Sequence, residues 1–110
     1  MTDRPTEAEL ALVAAACERW THAEHADVSR VEHEVDGSDV TIVEASRFAT
    51  DGEWLRVPAA LLRRTGDGTW TLFCFDVDGQ PGLFDEVEPG RPLAELLEVV
   101  AADPTDVFWG

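Results

Sequence analysis

The spacing of apolar residues changes twice along this chain, and these changes constrain the fold more than any other feature of the sequence. Near the amino terminus, apolar residues recur every three or four positions from Leu10 to Trp20, the period of one helix face. Thr6 and Glu9 have the spacing of a capping box, in which each side chain bonds the other residue's backbone N–H. The sequence therefore predicts a helix over residues 6–21 with one buried stripe.

The middle of the chain has the two-residue period of β-strands, interrupted by short glycine-containing turns. The runs between the turns predict five strands, at residues 28–35, 40–48, 54–64, 69–77 and 80–87. Phe48 is expected to share a face with Val40 and Ile42. Pro58 predicts an edge or a bulge in the third run, whose Leu61-Leu62 pair is also compatible with a helical turn. Apolar residues on both faces of the fourth run predict a central strand.

The helical period returns after Pro92, which suits a first helical position. Leu93, Leu96, Leu97 and Val100 form a second apolar stripe. Short connections between the strands favour an antiparallel meander, and two apolar helix faces both need a surface to cover. The prediction is a single α+β domain over residues 1–110, with a helix, a five-stranded antiparallel meander and a helix forming a two-layer sandwich.

The charge of the chain limits its partners. Asp and Glu number 23 against eight Arg and no Lys, a formal net charge of -15. Binding to nucleic acid or to an anionic membrane needs a clustered basic face, so neither is an expected partner. A cationic protein partner is compatible with this charge. The longest apolar run, residues 10–17, is too short to cross a bilayer. The sequence does not begin with a basic stretch followed by an apolar one, the pattern of a secretory signal. We therefore expect a cytoplasmic domain.

The chain lacks the spacing patterns of common catalytic and metal sites. His22, His25 and His33 have no paired Cys or His motif beside them, so no metal site is predicted. Carboxylate pairs are frequent, as expected of a solvated surface in so acidic a chain. The serines lie in no nucleophile elbow, and no glycine-rich phosphate loop is present. We therefore expect no cofactor and favour a protein without catalytic activity.

The two cysteines, Cys17 and Cys74, both lie in apolar stretches. Without a secretory leader, buried free thiols are the expected state, although a bridge between them stays open.

Four of the eight arginines lie in or beside two of the predicted strands: Arg47, Arg56, Arg63 and Arg64. Guanidinium groups bind carboxylates and phosphates in a bidentate manner. If these side chains converge, the group formed by Arg47, Arg56 and Arg63 would bind a small anion. The alternative is cross-strand pairing with neighbouring acids such as Glu44 or Glu53.

The carboxy-terminal segment is apolar for a chain end, because Phe108 and Trp109 lie within its last three residues. If exposed, they would form a contact surface for a partner. We favour the alternative, in which the segment folds back and completes the core.

Several short motifs in the second half of the chain are similar to one known family. They are Arg56-Val57-Pro58-Ala59, Leu62-Arg63, Trp70-Thr71-Leu72-Phe73, Leu96-Leu97, Asp103-Pro104 and Phe108-Trp109-Gly110. This half of the chain resembles family 3024 of the bacterial domains of unknown function. It departs from the family at residues 76–81, where members have a basic turn that contains Trp, and at Asp106, where members often have Gly. The resemblance implies a small bacterial domain and implies no catalytic residue.

These observations predict a non-catalytic protein-interaction module that binds a protein partner or forms a homodimer. One alternative is an acidic decoy, such as an antitoxin, an immunity protein or a nucleic-acid mimic, which requires acids arranged in rows. The other is a small-anion-binding protein or enzyme that uses the arginine group, with His33 as a further candidate.

Overall fold

The computed structural model of the chain describes residues 4–103 and 107–109, and its elements follow the predicted order. They are α1 (Glu7–Trp20), β1 (Ser29–Asp36), β2 (Asp39–Ser46), β3 (Leu55–Gly66), β4 (Thr69–Phe75), β5 (Pro81–Leu83) and α2 (Leu93–Ala102). A single turn of 3-10 helix, Ala23–His25, lies between α1 and β1. Pro104, Asp106 and Gly110, which the sequence analysis names, lie outside the described residues. Neither α-helix of the described residues is long and apolar enough to cross a membrane.

The five strands form one antiparallel sheet in the order β1-β2-β3-β4-β5, which confirms the predicted meander. Each strand pairs with its neighbour in the chain because every connection between strands is short. The fourth strand lies between β3 and β5, as its two apolar faces predicted.

Pro58 lies at an irregularity of the sheet. The register between β2 and β3 shifts beside it, and this confirms the predicted bulge. As a whole, β3 is an inner strand, the third of the five. However, β4 pairs with β3 only from Leu61 to Gly66, so residues 55–60 have β2 as their one neighbouring strand. A proline is tolerated there because no second strand needs its missing N–H. Leu61 and Leu62 are extended and form no helical turn.

Two strand boundaries differ from the prediction. The second strand ends at Ser46, so Phe48 lies in the following loop with a fully exposed side chain, and not beside Val40 and Ile42. The fifth strand is limited to Pro81–Leu83, because the chain forms turns on both sides of it. Beyond these strand ends Phe48 faces solvent, while Phe84 is buried in the core and keeps one backbone hydrogen bond to Leu72 of β4.

Both helices pack on the same face of the sheet, as predicted for a two-layer sandwich. The buried stripe of α1 includes Val13 and Cys17, and that of α2 includes Leu96 and Val100. These side chains form one core cluster with residues of β2, β3 and β4: Val40, Ile42, Ala59, Ala60, Leu62, Trp70 and Leu72. We call this side of the sheet the helix-covered face and the opposite side the open face.

The carboxylate of Glu9 joins α1 to the sheet. The capping box between Thr6 and Glu9 is confirmed, since each side chain bonds the other's backbone N–H. The same carboxylate accepts hydrogen bonds from Arg64 Nε at 2.9 Å and from the Trp70 indole N–H at 2.7 Å. One side chain therefore caps the helix and binds both β3 and β4.

This environment changes the pKa of Glu9. Partial burial by itself raises the pKa, but hydrogen bonds from the Thr6 backbone and the Trp70 indole, together with the Arg64 charge, lower it below its ordinary value. A carboxyl group with a lowered pKa in the folded state stabilises the fold above the pKa of the unfolded chain, about 4.3. That contribution is lost as the pH falls through the folded-state pKa.

The last described residues fold back onto the core. Asp103 ends α2 in a left-handed conformation with φ of 45°. Its carboxylate accepts hydrogen bonds from the backbone N–H groups of Val107, Phe108 and Trp109, at 2.9, 3.1 and 2.9 Å. The Phe108 ring packs 5.0 Å from that of Phe84 and is 5% exposed. The prediction that this segment completes the core is confirmed for Phe108.

We expect Glu9→Gln to lower the free energy of unfolding at pH 7 by about 1–3 kcal/mol, because the charged hydrogen bonds to Arg64 and Trp70 are weakened. The gap between the variant and the wild type should narrow below about pH 4, as Glu9 of the wild type becomes protonated. Urea unfolding between pH 3 and pH 7 measures both effects. The control is Glu7→Gln, in the same helical turn but exposed. An equal loss in the two variants would contradict the role of Glu9.

We expect Phe108→Ala to lower the free energy of unfolding by about 3 kcal/mol, the scale for removing a buried ring. Val107→Ala changes an exposed neighbour and should stay within about 0.5 kcal/mol of the wild type. Thermal and urea unfolding of the two variants would compare them. A Phe108→Ala protein as stable as the wild type would show that the segment does not complete the core.

Candidate functional site

Four segments of the chain lie close together at one end of the molecule. In an antiparallel meander, alternate connections lie at the same end of the sheet, so the loop before β1, the loop between β2 and β3, and the turn between β4 and β5 are neighbours. The end of α2 brings residues 107–109 to the same place, where Trp109 packs against Trp20. We call this region, formed by residues 22–28, 47–57, 76–80 and 107–109, the loop end.

The loop end carries most of the exposed apolar surface of the described residues. Eight large apolar side chains are exposed in residues 4–103 and 107–109, and five of them lie here: Phe48, Leu55, Val57, Val77 and Val107. Phe48 and Val77 are fully exposed. Scattered single apolar residues are normal on a surface, but a group at one end indicates an interaction site.

Three of these side chains, Val57, Val77 and Val107, line a cleft of about 430 Å³. Its floor includes Pro58 at the part of β3 that β4 does not reach. Further lining comes from Glu44, Ser46, Phe75, Asp76, Gly79, Phe108 and Trp109. The cleft is thus apolar on several sides, with carboxylates at Glu44 and Asp76.

The loops around the cleft are acidic. The loop end contains six acids, namely Glu24, Asp27, Asp51, Glu53, Asp76 and Asp78, and two arginines, Arg47 and Arg56, of which Arg56 pairs with Glu32 and Glu34. The loop end therefore combines exposed apolar side chains with a negative charge.

The arginine group of the sequence analysis is divided among separate partners. Arg56 binds Glu32 and Glu34 on the open face, and these hydrogen bonds raise its pKa. Arg63 bonds Asp39 through two nitrogens, at 2.7 and 3.1 Å.

The other two members lie apart from each other. Arg64 binds Glu9 near the far end of the sheet. Arg47 donates to the backbone oxygen of Asp27 at 2.7 Å, and its guanidinium lies 4.4 Å from the Trp54 ring centre. Cross-strand pairing thus accounts for Arg56 and Arg63, and anion binding by Arg47, Arg56 and Arg63 stays a prediction.

A second arginine, Arg30, lies beside Arg47 at the same indole, 4.1 Å from the ring centre of Trp54. Its Nε is also 3.2 Å from a Glu32 oxygen. This group fixes the position of Trp54 by cation–π contacts. The sequence analysis missed it, because the three residues lie on β1 and on the two ends of one loop.

The aromatic residues proposed as a partner contact have different surroundings. Phe108 is buried against Phe84 and contributes only a small part of its surface to the cleft. Trp109 is half-buried; its indole N–H donates to the Val100 backbone oxygen at 2.8 Å, and its ring lines the cleft. Partner contact at Phe108 and Trp109 stays a prediction, with Trp109 the accessible member.

The described histidines and cysteines form no metal cluster: residues 4–103 and 107–109 hold no group of three or more His, Cys, Asp or Glu placed to bind a metal ion. Both cysteines are free thiols, Cys17 buried and Cys74 half-buried. Burial, with a smaller effect of the Glu32 charge, raises the pKa of Cys17 to about 11. His33 is half-buried on the helix-covered face, in register with Ile42.

The architecture defines an α+β domain in which two helices cover one face of a five-stranded antiparallel meander. The chain belongs to the family described as Domain of unknown function (DUF3024), whose profile matches residues 1–110. The sequence resemblance, which covered the second half of the chain, thus extends to all of it. Comparison with curated proteins gave no match, and comparison with solved structures also gave none.

The two thiols should differ in reactivity. At pH 8 a thiol with a pKa of about 11 is about 0.1% thiolate, so we expect Cys17 to react with a chromogenic disulfide about a hundredfold more slowly than an ordinary thiol. The variant Cys74→Ser leaves Cys17 as its one thiol, and Cys17→Ser leaves Cys74. Stopped-flow absorbance of the two variants measures both rates. Rapid labelling of folded Cys74→Ser protein would contradict the burial of Cys17, and labelling in urea controls for the reagent.

Proposed function

We propose that this domain is a non-catalytic protein-interaction module that contacts its partner through the loop end. The observation that carries the proposal is the group of five exposed apolar side chains at the loop end, three of which line one cleft. Keeping such surface in water is unfavourable by roughly 25 cal/mol per Å², and a partner that covers it recovers this free energy. A cytoplasmic location stays a prediction on the sequence grounds given above.

The decoy alternative has less support, because it requires rows of acids on one face. On the open face of the sheet, acids alternate with arginines: Glu32 and Glu34 bind Arg56, and Asp39 binds Arg63. The anion-binding alternative also has less support, because those carboxylates already occupy two of its three guanidinium groups.

Photo-crosslinking in living cells tests the proposal directly. Benzoylphenylalanine would replace Phe48 or Val77 at the loop end, and Leu12 or Leu83 as matched exposed apolar positions on α1 and β5. We expect one discrete crosslinked product from Phe48 and Val77 and none from Leu12 and Leu83. Mass spectrometry would then distinguish a second protein from a second copy of this chain.

A substitution supplies an independent arm of this experiment. Val77→Asp should remove the product formed from Phe48 without changing the thermal midpoint, since Val77 is fully exposed. The same yield from loop-end and control positions, or no product from any loop-end position, would overturn the proposal.

A further inference from the structure

Glu44 has an unusual position in the sheet. Val40, Ile42 and Glu44 alternate onto the helix-covered face of β2, where the first two are fully buried in the core. Glu44 pairs in register with Val31 of β1 and Val57 of β3, so its nearest cross-strand neighbours on that face are apolar. Because the Glu44 side chain is only half-buried, its carboxylate keeps contact with water although its cross-strand neighbours are apolar.

Glu44 forms no ion pair within the described part of the chain, although it also lines a neighbouring pocket with His22, His25 and Arg30. The ion pairs formed by residues 4–103 and 107–109 use other acids, and no side-chain hydrogen bond there involves the Glu44 carboxylate. Its side chain is half-buried and lines the cleft at the loop end, together with Val57 and Trp109. The cleft thus contains an unpaired negative charge between apolar walls.

We propose that the cleft binds an extended segment of a partner protein that carries a basic residue between apolar residues, with Glu44 binding the basic side chain. This inference rests on the proposed function and adds the chemistry of the partner. The apolar neighbours of the basic residue pack on Val57, Val77 and Val107, which line the same cleft. Asp76 at its margin, and the acidic loops around it, attract the positive segment.

The same charges argue against a second copy of this chain as the occupant. Each copy has a net charge of -15, and the loop end contains six acids and two arginines. Two loop ends in contact would place like charges together at low dielectric. Pro58 also argues against simple strand addition along residues 55–58, because it supplies no backbone N–H to an incoming strand. We therefore expect the partner segment to be recognised through its side chains within the cleft.

Three synthetic peptides of the form acetyl-Ala-Val-X-Val-Ala-amide, with X as Arg, Gln or Glu, provide the probe. We expect NMR titration of the isotope-labelled chain to shift the amide signals of Val57, Val77 and Val107. The arginine peptide should bind about tenfold more tightly than the glutamine peptide, which corresponds to about 1.4 kcal/mol. The glutamate peptide should bind most weakly.

Two variants identify the carboxylate responsible. Glu44→Gln should remove the preference for the arginine peptide and leave the affinity for the glutamine peptide unchanged. Glu98→Gln makes the same change of charge on the exposed face of α2 and should keep the preference. Thermal midpoints of both variants, expected to match the wild type, check the fold.

The outcomes separate this inference from the proposed function. The role of Glu44 would be overturned if the arginine and glutamine peptides bound equally, or if the preference for the arginine peptide survived in Glu44→Gln. Crosslinking at Phe48 and Val77 would still support the interaction module in either case. Absence of peptide binding at the cleft would overturn the inference in the same way. A crosslinked product with the mass of a dimer would overturn it by identifying a second copy as the occupant.

Discussion

The hydrogen-bonded carboxylate of Glu9 is the interaction on which the arrangement of the two layers depends. It caps the amino-terminal end of α1, pairs with the guanidinium of Arg64 on β3 and accepts a hydrogen bond from the indole of Trp70 on β4. A buried Trp N–H and a nearly buried Arg both need a polar partner, and one side chain supplies it for both. The position of α1 over the sheet is therefore set by polar groups, while apolar packing supplies the bulk of the stabilisation.

The arginines of this acidic chain are concentrated where they neutralise the sheet. On the open face they pair with Glu32, Glu34 and Asp39, and flank the buried residues Val43 and Ala45, which no helix covers. Long arginine side chains can bury apolar surface along their stems while their charges stay hydrated. Because these arginines pair with acids of the open face, they do not neutralise the acids of the loop end. The exposed apolar residues of the loop end are therefore surrounded by negative charge.

Local patterns in the sequence were sufficient for the fold. The helical stripes, the capping box at Thr6 and the glycine turns each depend on neighbouring residues, and all are observed. The position of Phe48 was wrong because alternation does not show where a strand leaves its partner. The edge or bulge predicted for the part of the third strand at Pro58 is observed, but how far β4 extends along β3 does not follow from the local sequence.

The candidate site was harder to predict from the sequence than the fold. The cleft joins Val57, Val77 and Val107, which are far apart in the chain and follow no common motif. Glu44 was the one detectable signal: a charged residue that continues the alternating face of Val40 and Ile42. The arginine group was noticed because its members are close in the sequence, but its partners on β1 and β2 become neighbours only through the register of the sheet.

The meander also has a consequence for how the chain reaches this structure. Each strand pairs with the next one along the chain, so every hairpin closes a short loop, and such local closure has a low entropic cost and is fast. The bonds from Glu9 span 55 and 61 residues, to Arg64 and Trp70. The amino-terminal helix therefore gains both polar contacts only when β3 and β4 lie side by side, so its anchor depends on a hairpin that is distant in the sequence.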